Sequence, residues 1–128
     1  MNSKNDIFQC DICGNLVSVL NPGKGSLKCC GEEMIHLKPK TAEPASDNHI
    51  PFIKENESCY EISIGKHFHP MVKAHYIGFL QIRLDNYEIY HFFGPGENPV
   101  FEFSKETGKI KLGSYCLIHG FYEIDYSL

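Results

Sequence analysis

The sequence lacks an excess of positive charge, a long apolar run and an apolar leader segment. Twelve Lys plus Arg stand against sixteen Asp plus Glu, so the net charge is −4, the wrong sign for a protein that binds a phosphate backbone. No apolar run approaches the roughly 18 to 20 residues needed to span a bilayer, and the first residues, MNSKNDIFQ, contain no apolar h-region. We therefore expect a cytoplasmic protein that binds neither nucleic acid nor a membrane.

Helical periodicity is also missing, because no window of about twelve residues carries an apolar stripe at helical spacing. Short alternating runs occur instead. In CYEISI, Tyr60, Ile62 and Ile64 occupy every second position, and in YIGFLQIRL, Leu80 and Ile82 share one face. The turn-forming stretches GPGENP and ETG separate the later runs, which are NYEIYHFF, VFEF, KIKL and FYEIDY. About 90 residues of short strands with frequent turns predict an antiparallel β-sandwich.

Six cysteines without a secretory leader indicate metal ligands or redox chemistry rather than disulfides. Four of them lie in CDICGNLVSVLNPGKGSLKCC as Cys10, Cys13, Cys29 and Cys30. A Cys-x2-Cys pair followed by a second pair can surround one metal with four thiolates, as in tetrahedral zinc and mononuclear iron sites. A segment of about 36 residues is also below the roughly 40 that fold without a metal, a disulfide or a partner. The spacing alone fits zinc and iron equally.

A change of composition follows this cysteine-rich segment. Residues 38–48, KPKTAEPASDN, contain two prolines, several small residues and no apolar periodicity, which is typical of a linker. We predict a small metal-binding domain at residues 1–37 and a sandwich domain at residues 49–128.

Histidines and one further cysteine suggest a second metal site in the sandwich domain. Cys116 and His119 form a Cys-x2-His pair, which can present both side chains to one point. Imidazole and thiolate ligands favour a transition metal over calcium or magnesium. Spacing does not identify the site, because the candidates are scattered along the domain. They are His49, His69, His75, Cys116 and His119.

Short motifs in a fixed order carry a family resemblance. CDICGN, CCGEEM, HIP, HPM, HYI and YCLIHG occur in the order found in desulfoferrodoxin, the two-iron form of superoxide reductase. The resemblance covers nearly the whole chain. It implies a mainly β protein with an N-terminal desulforedoxin-like domain followed by an immunoglobulin-like antiparallel β-sandwich.

The same resemblance implies two irons per chain. Four cysteines would hold the first iron, although zinc could occupy this site in recombinant material. Four histidine nitrogens in a plane and one axial cysteine would hold the second iron, leaving its sixth position open. Transferred by motif, the first set is Cys10, Cys13, Cys29 and Cys30, and the second is His49, His69, His75, Cys116 and His119. Cys59 has no counterpart in either set.

The implied activity is that of an enzyme, a superoxide reductase. It reduces superoxide by one electron to hydrogen peroxide, and an external donor such as rubredoxin returns the iron to the ferrous state. The resemblance also implies a homodimer formed through the N-terminal domains. Two alternatives remain open from the residues: an iron protein for electron transfer or for sensing reactive oxygen species without rapid turnover, and a zinc-ribbon interaction module joined to a sandwich.

Two positions depart from the family pattern just before His49. Where most members have Glu-Lys, this chain has Asp47 and Asn48. The family glutamate can ligate ferric iron and the lysine supplies positive charge near superoxide. We therefore expect slow superoxide capture with little salt dependence, unless Lys66 or Lys73 projects into the site.

Overall fold

A computed structural model of the chain describes residues 3–41, 49–65, 69–104 and 108–128. These residues form twelve β-strands, and no helix occurs among them. Consequently, no helix in the described ranges has the length and apolar character needed to cross a membrane. The chain divides into two compact units, Met1–Lys38 and Pro39–Leu128.

The first unit is built from five very short strands. β1 pairs antiparallel with β2 and with β5, and β3 and β4 form a separate antiparallel hairpin. Strands this short bury few side chains, and the buried ones include Ile7, Phe8 and Val19. Such a small core provides little apolar burial to stabilise the unit. The strands are β1 (Ile7–Gln9), β2 (Leu16–Ser18), β3 (Lys28–Cys29), β4 (Glu32–Glu33) and β5 (Ile35–Leu37).

The second unit contains two antiparallel sheets. One has the strand order β10-β7-β6 and the other has the order β12-β11-β8-β9. The strands are β6 (Pro51–Glu55), β7 (Cys59–Ile64), β8 (Ile77–Arg83), β9 (Glu88–Phe92), β10 (Val100–Ser104), β11 (Lys109–Cys116) and β12 (Gly120–Ser127).

Apolar side chains from both sheets form one core. Tyr60, Ile62 and Ile64 of β7 are buried while the residues between them are half-buried, which is the predicted alternation. Leu80 and Ile82 of β8 are fully buried, as their shared face predicts. Side chains from β7 and β10 therefore pack with side chains from β8 and β11, and the predicted antiparallel sandwich is confirmed.

The register of the strands brings distant residues to one edge of the sandwich. Pro51 at the start of β6 pairs with Ile64 at the end of β7, so the segments that carry His49 and His69 lie close together. Cys116 at the end of β11 pairs with both Ile77 and Gly120. His75 lies two residues before Ile77 and His119 directly precedes Gly120. All five predicted ligands are therefore carried to this edge.

Candidate metal centres

The first unit gathers four thiols, which we call the thiol cluster: Cys10, Cys13, Cys29 and Cys30. Their sulfur atoms all lie within 4.8 Å of one another. The Sγ atoms of Cys13 and Cys29 are 3.6 Å apart and those of Cys29 and Cys30 are 4.0 Å apart. Four sulfurs at about 2.3 Å from a central metal form a tetrahedron with edges of about 3.8 Å. The separations are therefore those of a metal-binding tetrahedron and far too long for disulfide bonds.

Local turns direct these sulfurs inward. Gly14 follows the first cysteine pair with a φ of 83°, and its N–H donates to the carbonyl of Cys10. Cys30 has a φ of 54°, a conformation that residues other than glycine seldom adopt, and Gly31 follows at 78°. This left-handed turn lets the sulfurs of two adjacent cysteines converge. Backbone strain of this kind is typical of ligand sites.

The protonation preferences of the four thiols oppose one another. The backbone N–H of Cys13 donates to the sulfur of Cys10 and lowers the pKa of Cys10 to about 6. Side-chain hydrogen bonds with Cys13 and then with Cys10 raise the pKa of Cys30 to about 12. Packing the sulfurs this tightly disfavours several thiolates at once. A bound cation would remove that conflict, so the donor chemistry fits a metal ion.

The second unit gathers the histidine cluster: His49, His69, His75, Cys116 and His119. Their donor atoms lie within 4.8 Å of one another. The imidazole rings form a closed circuit in which His49 contacts His69, His69 contacts His75, and His75 contacts His119. Contact between His119 and His49 completes it, and every centroid separation is 4.6 or 5.0 Å. The four rings thus occupy the corners of a quadrilateral.

The sulfur of Cys116 lies close to two opposite corners of this quadrilateral. Its distance is 3.5 Å to Nε2 of His69 and 3.5 Å to Nδ1 of His119, which belong to opposite corners. Nε2 of His49 lies 3.0 Å from Nδ1 of His119. Two nitrogens bound to one metal at right angles, each about 2.1 Å away, would be about 3.0 Å apart. The arrangement fits a metal that would be held by four ring nitrogens and one thiolate.

His69 is held in the tautomer that a ligand needs. Its Nδ1 lies 2.7 Å from the carbonyl oxygen of Pro70, so an N–H at Nδ1 donates there and Nε2 keeps its lone pair. The side chain is 2% exposed, and this desolvation lowers the pKa of His69 to about 4. The imidazole is therefore neutral at neutral pH. Pro70 also biases His69 away from helical geometry.

His49 is fixed by contacts with the other sheet of the sandwich. The hydroxyl of Ser114, fully buried on β11, donates to the carbonyl of His49. The ring of Tyr122 on β12 stacks on the His49 ring at 4.6 Å and 10°. Sequence reasoning missed both supporting residues. Ser114 lies two positions before Cys116, but a buried serine in a strand gives no signal of its partner.

His75 and His119 lie on turns. The backbone N–H and C=O of His75 both pair with Val72, which forms a tight turn before β8. Within the described residues Nε2 of His75 is buried and has no hydrogen-bond partner, as expected of a nitrogen kept for a metal. His119 lies in the turn between β11 and β12 and is exposed, whereas Cys116 is 0% exposed. Solvent therefore reaches the cluster at His119 and, to a lesser extent, at the half-buried His75, but not at the sulfur.

Family comparison agrees with this geometry. A model described as "Desulfoferrodoxin, N-terminal domain" matches residues 2–37, and one described as "Desulfoferrodoxin" matches residues 41–125. A desulfoferrodoxin from Nitratidesulfovibrio vulgaris is 34% identical over 125 residues, which are 98% of this chain and 99% of that protein. The chain belongs to the desulfoferrodoxin family. Its two clusters, in a desulfoferrodoxin framework, fit two iron centres.

Further relatives match each part of the chain. The desulforedoxin of Megalodesulfovibrio gigas is 46% identical over 35 residues, which are 27% of this chain and 95% of that protein. The crystal structure of the superoxide reductase from Treponema pallidum superimposes with a TM-score of 0.73 at 17% identity, covering 93% of this chain and 96% of that one. This structural likeness shows that the two chains share a fold.

Some residues that the sequence predicts to lie near the second metal site fall outside the described ranges. These are Asp47 and Asn48, which were predicted to stand beside the second iron, and Lys66, one of the two lysines considered as a substitute cation. The other, Lys73, is exposed in the turn between Val72 and His75. Cys59 begins β7, half-buried, and belongs to neither cluster.

Proposed function

We propose that this chain is a superoxide reductase whose active site is the histidine cluster. The observation that carries the proposal is the buried Cys116 sulfur at equal distances from opposite corners of a ring of four imidazoles. Five such donors exceed the four that a structural zinc site uses, which argues against a zinc-ribbon module as the main role. Solved relatives with the same fold are named superoxide reductases, from Treponema pallidum and from Giardia intestinalis.

In the proposed reaction, superoxide takes one electron and two protons and becomes hydrogen peroxide. Iron bound in the histidine cluster would supply that electron and would be returned to the ferrous state by an external donor. The chain's own residues prepare the site for this task. Burial keeps His69 neutral, and its hydrogen bond to Pro70 leaves the Nε2 lone pair free for a metal. Burial of Cys116 keeps its sulfur away from solvent oxidants. The exposed edge at His119 admits a small anion from solvent.

The first iron would have four thiolate ligands in the thiol cluster. We propose that it stabilises the first unit and relays electrons, because Cys13 and Cys30 are exposed where a donor could reach them. A rubredoxin-like protein is the proposed donor. Zinc bound by the same four thiolates would still stabilise the first unit. It could not relay electrons, because zinc has no redox chemistry.

We further propose a cytoplasmic homodimer. All six cysteines are free thiols, which suits a reducing compartment. Exposed apolar side chains on the first unit, Ile12 at 59% and Leu20 at 73%, are the kind of surface that a second copy would cover. Sedimentation of the Leu20→Lys variant beside the unmodified chain tests this, since a dimer that depends on the first unit should become monomeric.

Anaerobic pulse radiolysis of the reduced protein tests the activity. We expect superoxide to disappear with second-order kinetics, one hydrogen peroxide to form per superoxide, and no dioxygen to be evolved. Iron must be quantified per chain, and a zinc-loaded sample serves as the inactive control. Consumption no faster than in the zinc-loaded control, by protein with a fully loaded histidine cluster, would contradict the proposal and favour an electron-transfer or sensing role.

A further inference from the structure

Lys40 lies against the histidine cluster, although it belongs to the stretch predicted as a linker. Its backbone N–H donates to the carbonyl of Phe121, and its carbonyl accepts from the N–H of Glu123, so Lys40 is bridged to β12. Its Nζ donates to the carbonyl of His119 at 2.6 Å. The same ammonium lies 5.2 Å from the centroid of the Tyr122 ring. The backbone and the side chain are therefore both anchored.

This position brings the ammonium close to the donor atoms. A chain of five covalent bonds joins the carbonyl oxygen of His119 to its Nδ1, and at about 1.2 to 1.5 Å per bond it spans less than about 8 Å. With the 2.6 Å hydrogen bond, Nζ lies within about 10 Å of that ring nitrogen. The ammonium also contacts the ring of Tyr122, and that ring stacks on the ring of His49. The separation is comparable to the Debye length, which is about 10 Å at 0.1 M salt.

The charge of Lys40 is not cancelled by a described carboxylate. Arg83 pairs with Glu123 at 2.5 Å and Lys111 pairs with Asp125 at 3.8 Å, whereas none of the ion pairs within the described ranges includes Lys40. The whole chain carries −4, so an approaching anion is repelled on average. A fixed cation beside the solvent-facing histidine reverses that field locally.

We propose that Lys40 is the residue that draws the superoxide anion to the histidine cluster of this chain, whose sequence has Asn48 where the family has its lysine. The inference rests on the proposed function and specifies which residue makes capture of the anion fast. Because both hydrogen bonds of the Lys40 backbone fix its position on β12, the charge is held at the exposed edge of the cluster, next to His119. Lys40 acts on the rate of encounter and not on the electron transfer itself.

If Lys40 attracts superoxide, the rate of superoxide capture should fall as the salt concentration rises. The sequence alone, with Asn48 in place of the family lysine, predicted a rate that changes little with salt. Between about 0.01 M and about 0.1 M salt, the Debye length falls from about 30 Å to about 10 Å, so the attraction by Lys40 is progressively screened. One unit charge at this distance in a largely aqueous environment should change the encounter rate by about two- to tenfold.

The test compares four forms of the iron-loaded, reduced protein by pulse radiolysis across this salt range: unmodified, Lys40→Met, Lys40→Arg and Lys109→Met. Lys109 begins β11, seven residues before Cys116 and thus about 23 Å along the strand, so its variant has the same change of net charge far from the site. We expect Lys40→Met to lower the low-salt rate about two- to tenfold and to flatten its salt dependence. Lys40→Arg and Lys109→Met should behave as the unmodified protein does.

A second measurement does not depend on turnover. Azide is a small monoanion like superoxide, and its affinity for the ferric protein can be followed by visible absorption. Lys40→Met should weaken azide binding by a similar factor, about two- to tenfold, and Lys109→Met should leave it unchanged. If the unmodified protein failed to consume superoxide, the proposed function would fall while the azide titration still tested the role of Lys40.

Three outcomes would overturn the inference. One is an unchanged rate and azide affinity in Lys40→Met. Another is an equal effect of Lys109→Met, which would assign the effect to net charge. The third is a lower rate in Lys40→Met with the salt dependence and azide affinity intact, which would mean that Lys40 only holds the His119 turn in place.

Discussion

In the thiol cluster Cys13 and Cys30 are exposed, whereas in the histidine cluster Cys116 is 0% exposed and His69 is 2% exposed. The thiols come from turns within one short segment of a unit with few buried side chains. The histidine ligands come from loops and strand ends of a sandwich that has its own core. We therefore expect the first unit to depend on a bound metal for folding, whereas the second site lies at the edge of a domain with its own core.

By this contrast, a metal in the thiol cluster would mainly stabilise the fold, and a metal in the histidine cluster would carry out the reaction. A metal that joins turns in a small unit contributes its binding free energy to folding. A metal in a preformed, mostly buried ring of ligands instead has its reactivity set by the ligands and by solvent access. In the histidine cluster His119 is the most exposed member and His75 is half-buried, and Lys40 provides positive charge beside His119.

The largest effect should follow from removing the buried sulfur. In Cys116→Ser we expect superoxide reduction to fall by at least about a hundredfold, because even residues that merely support metal ligands contribute up to about that much. The thiolate-to-iron charge-transfer band of the second site should vanish, while the spectrum of the first site persists. Cys59→Ser, the same change at a cysteine outside both clusters, should alter neither. Unchanged turnover in Cys116→Ser would remove the axial-ligand assignment.

The complementary variant changes the first site. Cys13→Ser leaves three thiols in the thiol cluster, so the first unit should lose its metal and unfold more readily, because its own core is small. Iron content should fall from two to one per chain, and proteolysis should cleave the first unit sooner than in Cys59→Ser. Superoxide reduction by a pre-reduced sample should survive. Its disappearance together with the first iron would show that the two sites are not independent.

The contrast between the sites also explains what the sequence could predict. Cys10 to Cys30 form one local segment whose turns are visible as Gly14 and Gly31, so spacing alone identified a metal site. His49 and His119 are 70 positions apart and meet only through strand register, which spacing cannot reveal; the family motifs supplied that set. The sandwich strands were predicted because half-buried strands alternate, whereas strands of two or three residues carry no such period.

Residues that support the ligands were beyond sequence analysis for a physical reason. Lys40 lies in a stretch without periodicity, and its role comes from a single bridge to β12. Ser114 and Tyr122 are ordinary strand residues whose importance depends on which strand crosses near His49. Such contacts are set by tertiary packing, so local composition contains no signal for them.

The smallest effect should come from Ser114→Ala, which tests how the sandwich holds a ligand. Removing the hydroxyl leaves the carbonyl of His49 without this donor in a buried environment, which should cost about 1–3 kcal/mol of stability. Because that hydrogen bond also fixes the segment carrying His49, a chelator should remove the second iron about tenfold faster. Urea unfolding and chelator kinetics followed in the visible bands measure both quantities.

Ser127→Ala is the matched control, since Ser127 is exposed on β12 and the substitution is the same. It should change neither the urea midpoint nor iron release. If Ser114→Ala lowered the midpoint but left chelator kinetics and the visible bands of the second iron unchanged, the serine would support the sandwich alone. The position of His49 would then depend on its stacking with Tyr122 and not on the buried hydrogen bond from Ser114.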